Sequence, residues 1–230
     1  MLAPIRSPGL GPIALCLALC VWRAGAGAEP PPVREFSAEI VSRDAGGVIA
    51  GAAARLYAMN RKVRIETPEA PAGFFLIDAE AGTVLFVRPA QRVFMDAKQS
   101  TRLTQIFIPV DSHDPCRQWQ AAAKNAGPSS GGGEWGCERA APAIAVKGSA
   151  IEYNVVSPDR KSSRRWVDPN LEFPVRLQTA DGASIALEHI REGVQPASLF
   201  AVPPDYRKLD PQALIDRIKH SDVWVEQSHP

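Results

Sequence analysis

Apolar and polar residues alternate with a period of two along much of the chain, the pattern of strands whose two faces meet different surroundings. From Phe36 to Arg43, Phe36, Ala38 and Ile40 alternate with Ser37, Glu39 and Val41, and Asp44-Ala45-Gly46-Gly47 supplies a turn. A second extended run ends in Leu56-Tyr57-Ala58-Met59, so the two predict a hairpin. Asn60-Arg61 then links tightly to Lys62-Val63-Arg64-Ile65-Glu66, a strand with one buried and one wet face. Short strands over 74–77, 83–87 and 92–95, parted by Asp78-Ala79-Glu80-Ala81-Gly82 and Pro89-Ala90, continue as a meander. The run 103–108 fits a strand or a short helix, because periodicity does not decide so brief a stretch.

Asp114-Pro115 has the chemistry of a helix start, an acceptor side chain at the cap and proline at the first helical position. A short helix through 119–124 follows, and the glycine and serine cluster 127–133 returns the chain to Cys137. Strand patterns resume over 144–146, 151–156 and 165–167. A hairpin of 173–179 with 184–190 turns at Asp181-Gly182, a dipeptide suited to positive φ angles. A second helix, opening at Asp210-Pro211, would carry Leu214, Ile215 and Ile218 on one face. The reading is mainly β, with two short helices and neither an internal repeat nor a domain boundary.

The N-terminal segment departs from this pattern. Arg6 precedes a mainly apolar stretch, 10–22, and then Ala24-Gly25-Ala26-Gly27-Ala28 leads to Glu29. That is the layout of a secretory signal peptide cleaved after Ala28. The stretch is bounded by Pro12 and Arg23, too short for a membrane-spanning helix of about 20 apolar residues. Cys20 would suit a lipoprotein signal, but bulky Leu19 stands where such signals need a small residue. Residues 1–28 are thus expected to be a signal peptide. Residues 29–230 are expected to form one periplasmic domain without a transmembrane segment, opening on the stiff run Pro30-Pro31-Pro32.

Charge and cysteine usage narrow the function classes. The chain's formal net charge is +1, and losing Arg6 and Arg23 with no acid makes it −1. A near-neutral domain lacks the basic footprint of a nucleic-acid binder. Cys116 and Cys137 are the only cysteines beyond residue 28. In an oxidising compartment such a pair most simply forms a disulfide, worth about 3 kcal/mol for a loop of this size. His113 is the only histidine close by, and no C-x-x-C spacing occurs, so no metal or other cofactor is expected.

Three stretches together resemble the LolA-like lipoprotein carriers. Lys62-Val63-Arg64-Ile65-Glu66 with Asp78, Gly82 and Pro89 is similar to their early meander. Trp166-Val167-Asp168-Pro169, Phe173-Pro174-Val175 and Asp181-Gly182 resemble their later strands. Pro196, Leu199-Phe200, Pro203 and Tyr206 resemble the ending of exported relatives that also tend to carry a cysteine pair. The resemblance implies a curved antiparallel sheet forming an incomplete barrel, with short helices covering the concave side. It also implies a partner: a lipid or lipoprotein acyl chain held in that concavity, or an exposed envelope component sensed by it.

The side-chain chemistry points away from catalysis. His113, His189, His220 and His229 form no recognisable constellation with a nucleophile, and no G-x-S-x-G, H-E-x-x-H or phosphate-cradling glycine motif occurs. His113 adjoins Ser112 and Asp114, but Asp114 is better explained as a helix cap. Adjacent Phe74 and Phe75 must point to opposite faces, so both faces there carry large apolar groups. Phe75, Phe86 and Phe94 are candidate lining for an acyl chain, against the alternative of ordinary core packing. Arg64 is a candidate contact to a covering helix or a ligand head group, against a solvated strand charge. The basic run from Arg160 to Arg165 could meet anionic head groups, or be an exposed hairpin tip. The expected function is non-catalytic binding of a lipid, acyl chain or lipoprotein. The alternative is an interaction or sensor module for an envelope protein on the same scaffold.

Overall fold

Period-two segments become strands because each can bury one apolar row while its backbone pairs with a neighbour. In the computed structural model, which describes residues 34–67, 73–97, 102–125, 135–140, 150–157 and 159–210, these strands form a single sheet. The expected signal peptide, the glycine-rich loop 127–133, the strand at 144–146 and the helix after Asp210 lie outside the described residues.

In chain order the elements are β1 (Glu35–Arg43), β2 (Ala54–Met59), β3 (Lys62–Glu66), β4 (Phe74–Asp78), β5 (Thr83–Arg88) and β6 (Val93–Asp96), then α1 (Arg102–Ile106) and α2 (Pro115–Asn125). After these come β7 (Gly136–Arg139), β8 (Ile151–Val156), β9 (Ser162–Asp168), β10 (Phe173–Thr179), β11 (Ser184–Glu192) and β12 (Arg207–Lys208). The sheet order is β12-β6-β5-β4-β3-β2-β1-β11-β10-β9-β8-β7. Two meanders are thus joined where β1 pairs with β11 over a long antiparallel register, Ile40 opposite Leu187. Every pairing is antiparallel except the short parallel one between β12 and β6. The sheet curves without closing, an incomplete barrel whose concave side is covered by short helical segments.

The turns form where the sequence offers the required backbone. Asp44 accepts the Val48 N–H at 2.9 Å, and Asn60 takes φ 55° between β2 and β3. Asparagine tolerates that left-handed conformation better than most residues. Gly182 takes φ 93° and donates to the Thr179 carbonyl at 2.9 Å, closing the β10–β11 hairpin. The ambiguous run at 103–108 resolves into α1 followed by an extended stretch that lies on the sheet. No helix among the described residues is long and apolar enough to cross a membrane.

Candidate functional site

The inward rows of β1–β5, β10 and β11 build an apolar wall. Phe36 and Ile40 from β1, Leu56 from β2, Ile65 from β3, Phe75 from β4 and Leu187 from β11 belong to one buried cluster. Register fixes this: Leu56 stands opposite Ile65, Ile65 opposite Phe75, and Phe75 opposite Phe86. The Phe75 and Phe86 rings lie 4.9 Å apart, and Phe36 meets Phe173 edge-on at 5.2 Å. Such ring pairs add about 0.5–1.5 kcal/mol beyond area burial.

One short cover lies on this wall. Ile106, Phe107 and Ile108 join the wall's cluster, and Phe107 is fully buried. Polar contacts anchor the far end of the cover. Val110 N–H donates to the Glu172 carbonyl at 2.9 Å, and Asp111 N–H donates to Gln118 Oε1 at 3.0 Å. Gln118 Nε2 in turn donates to the Pro109 carbonyl at 2.9 Å.

At the β7–β9 end, α2 covers the same face. Asp114 accepts the Arg117 N–H at 3.0 Å, and Pro115 follows it at the first helical position. The expected disulfide is present: Cys116 of α2 bonds Cys137 of β7, with Cα atoms 5.5 Å apart. Beneath it Trp119 meets Tyr153 edge-on at 5.8 Å, and the Arg165 guanidinium lies 4.7 Å over the Trp119 ring. Burial pushes the Tyr153 phenol above its ordinary pKa; Asp114 adds to this and Arg139 opposes it.

The outer face of β3–β6 is partly covered: β3 keeps the expected alternation, with Val63 and Ile65 buried and Lys62 exposed, but Arg64 lies under a cover. A C-terminal strap leaves β11, forms a 3₁₀ turn at Ala197–Phe200 and ends in β12. Its Val202 and Tyr206 pack against Phe74, Leu76 and Val87, with Phe94 in the same group. Arg64 serves this cover. Its guanidinium stacks 3.3 Å from the Phe74 ring centroid, donates to the Leu199 carbonyl at 3.2 Å and pairs with Glu66 at 2.7 Å. The four candidate ligand residues therefore divide: Phe75 and Phe86 face the concave side, whereas Arg64 and Phe94 face the strap. The strap's prolines, Pro196, Pro203 and Pro204, suppress any strand signal in this segment. The spaced apolar residues Leu199, Phe200, Val202 and Tyr206 are the sign that it packs.

No family model matches the sequence. No curated protein matches it either. Among solved structures, one of PNGF-II is similar at 8% identity and a TM-score of 0.48, over 81% of this chain and 33% of that one. An uncharacterized conserved protein from Thermus thermophilus is similar at 14% identity and a TM-score of 0.43, over 76% and 89% of the two chains. Likenesses this distant assign no function.

Beside His113, Asp111 and Asp114 both accept backbone N–H groups: Asp111 takes that of His113 at 2.9 Å, and Asp114 caps α2. His189 does not pair with its neighbour Glu188, which binds Arg43; instead its Nδ1 lies 3.0 Å from Glu39 on β1. His220 and His229 lie outside the described residues. The basic run forms the β8–β9 link and the start of β9. Lys161 pairs with Asp159 at 2.7 Å, and with Ser157 it draws the Asp159 carboxyl down to about 2. No cluster of three or more potential metal ligands occurs among the described residues.

Proposed function

We propose that the protein is a non-catalytic periplasmic binding protein that holds the acyl chain of a lipid or lipoprotein along the concave face of its sheet. The observation that carries this reading is the make-up of that face and its cover. The wall from β1 to β4 is apolar throughout its buried cluster, and among the described residues α1 and the residues just after it lie on its middle. Where Ile106, Phe107 and Ile108 meet the wall the contact is apolar, so an acyl chain can take the place of those side chains while the wall stays out of water. Each methylene buried is worth about 0.8 kcal/mol. The disulfide is compatible with an oxidising compartment.

A second reading, an envelope interaction or sensor module with no carried ligand, is favoured by how completely Phe107 fills its place against the wall. Fluorescent fatty-acid titration of the wild type and of Phe75→Asp separates the two. Acyl binding predicts saturable uptake by the wild type and loss in the variant, because a carboxylate in the wall opposes transfer of the chain out of water. The variant's fold is checked by circular dichroism, with Phe86→Asp as the substitute if it fails. Negligible uptake by the wild type would leave the interaction module as the reading.

A further inference from the structure

The outer face carries a second, polar feature where β2, β1 and β11 run side by side. A cleft of about 250 Å³ opens there, lined by Ser37 and Glu39 of β1, Arg55 and Tyr57 of β2, and His189 and Arg191 of β11. Its form follows from the register. Ser37 stands opposite Tyr57 on one side and Arg191 on the other, while Glu39 stands opposite Arg55. A small residue in the central strand between long ones on both flanks leaves a hollow in an otherwise flat surface.

The β1–β11 register slips between Ser37 and Glu39, and His189 takes φ 51° at that bulge. A bulge places an extra residue on one strand and re-aims its side chain. Here it sends both Glu188 and His189 to the outer face. Glu188 turns to Arg43, and His189 turns to Glu39 across the cleft, Nδ1 to Oε2 at 3.0 Å. Arg55 and Arg191 make no ion pair or hydrogen bond among the described residues. They flank β1 from opposite sides, Arg191 level with Ser37 and Arg55 level with Glu39, so two strand spacings and two residues of offset put their Cα atoms about 12 Å apart, within reach of one small group over Ser37 and Glu39.

We propose that this cleft binds a phosphate group, gripped by Arg55 and Arg191 with the Ser37 and Tyr57 hydroxyls and His189 around it. Guanidinium forks suit phosphate oxygens from two sides. The acceptor Glu39 is turned to His189, which leaves the two arginines as the dominant charge of the hollow. The phosphate can be that of a phospholipid head group or of a small soluble phosphate ester. This site is on the face opposite the proposed acyl wall and does not depend on it.

The test is calorimetric titration at fixed ionic strength with inorganic phosphate and with glycerol 3-phosphate, beside flotation with vesicles of phosphatidylglycerol or of phosphatidylcholine alone. The wild type is compared with Arg55→Gln/Arg191→Gln, whose side chains are exposed and can change without disturbing the core, and with Glu39→Gln. Saturable phosphate binding, at least tenfold weaker in the double arginine variant and several-fold tighter in Glu39→Gln, supports the site and assigns a soluble ester. Flotation on phosphatidylglycerol but not phosphatidylcholine, lost in the double variant, supports it and assigns a head group. No binding in either arm, or binding unchanged by the double variant, overturns it.

Discussion

Arg64 sits between Val63 and Ile65, and parity alone would leave its side chain in water. In the folded chain that side chain is only 15% exposed, because the C-terminal strap lies over it. Its stacking on Phe74 and its bond to Leu199 join β3 to a segment more than a hundred residues later, a relation no local pattern encodes. Arg64→Ala removes a charge-assisted hydrogen bond and a cation–π contact and should cost about 1–3 kcal/mol. Urea denaturation measures the loss. Hydrogen exchange should localise it, with faster exchange through 197–209, and an unchanged midpoint would show that the contact contributes nothing. The paired phenylalanines were more legible: Phe74 and Phe75 had to face opposite ways. Which of them met the concave cluster and which met the strap depended on register with β5 and on Val202 and Tyr206, and neither can be read from the two residues alone.

At the scale of elements, the strands with local hairpin partners could be read from alternation and turn chemistry, and so could the start of α2 from Asp114-Pro115. The elements that escaped are those fixed by distant partners. β12 has two residues and pairs in parallel with β6, so it has neither the length nor the neighbouring turn that marks a strand. The bulge at His189 escaped for a similar reason: it exists only against β1. The disulfide joins α2 to β7 at the end of the sheet order, away from β1–β5. Replacing Cys116 and Cys137 together by serine should therefore cost about 3 kcal/mol. Exchange should accelerate first in α2 and β7. Equal acceleration across β1–β5 would mean that the bond supports the whole sheet and not this end of it.

Across the whole molecule, one sheet carries a cover on each face. The strap on the outer face is tied by directional contacts, including Arg64 to Leu199 and the backbone bond from Arg207 to the Arg92 carbonyl at 2.9 Å. The inner cover places Ile106, Phe107 and Ile108 against an apolar wall and is anchored at Val110 and Asp111. The mainly β architecture was legible from the sequence, because period-two patterning is repeated in nearly every segment, whereas the incomplete barrel was implied only by the family resemblance. The apolar character of the concave face was legible only in part, since assigning residues to it required the pairing of β1 with β11 across the chain. On the proposed function, this face receives an acyl chain. Photolabelling with a diazirine-bearing fatty acid, followed by peptide mass spectrometry, locates where that chain sits. Labels are expected on β1, β2 and β4 at or beside Phe36, Leu56 and Phe75, competed away by unlabelled fatty acid. Labels confined to the outer face, or none that unlabelled fatty acid displaces, would contradict the proposal.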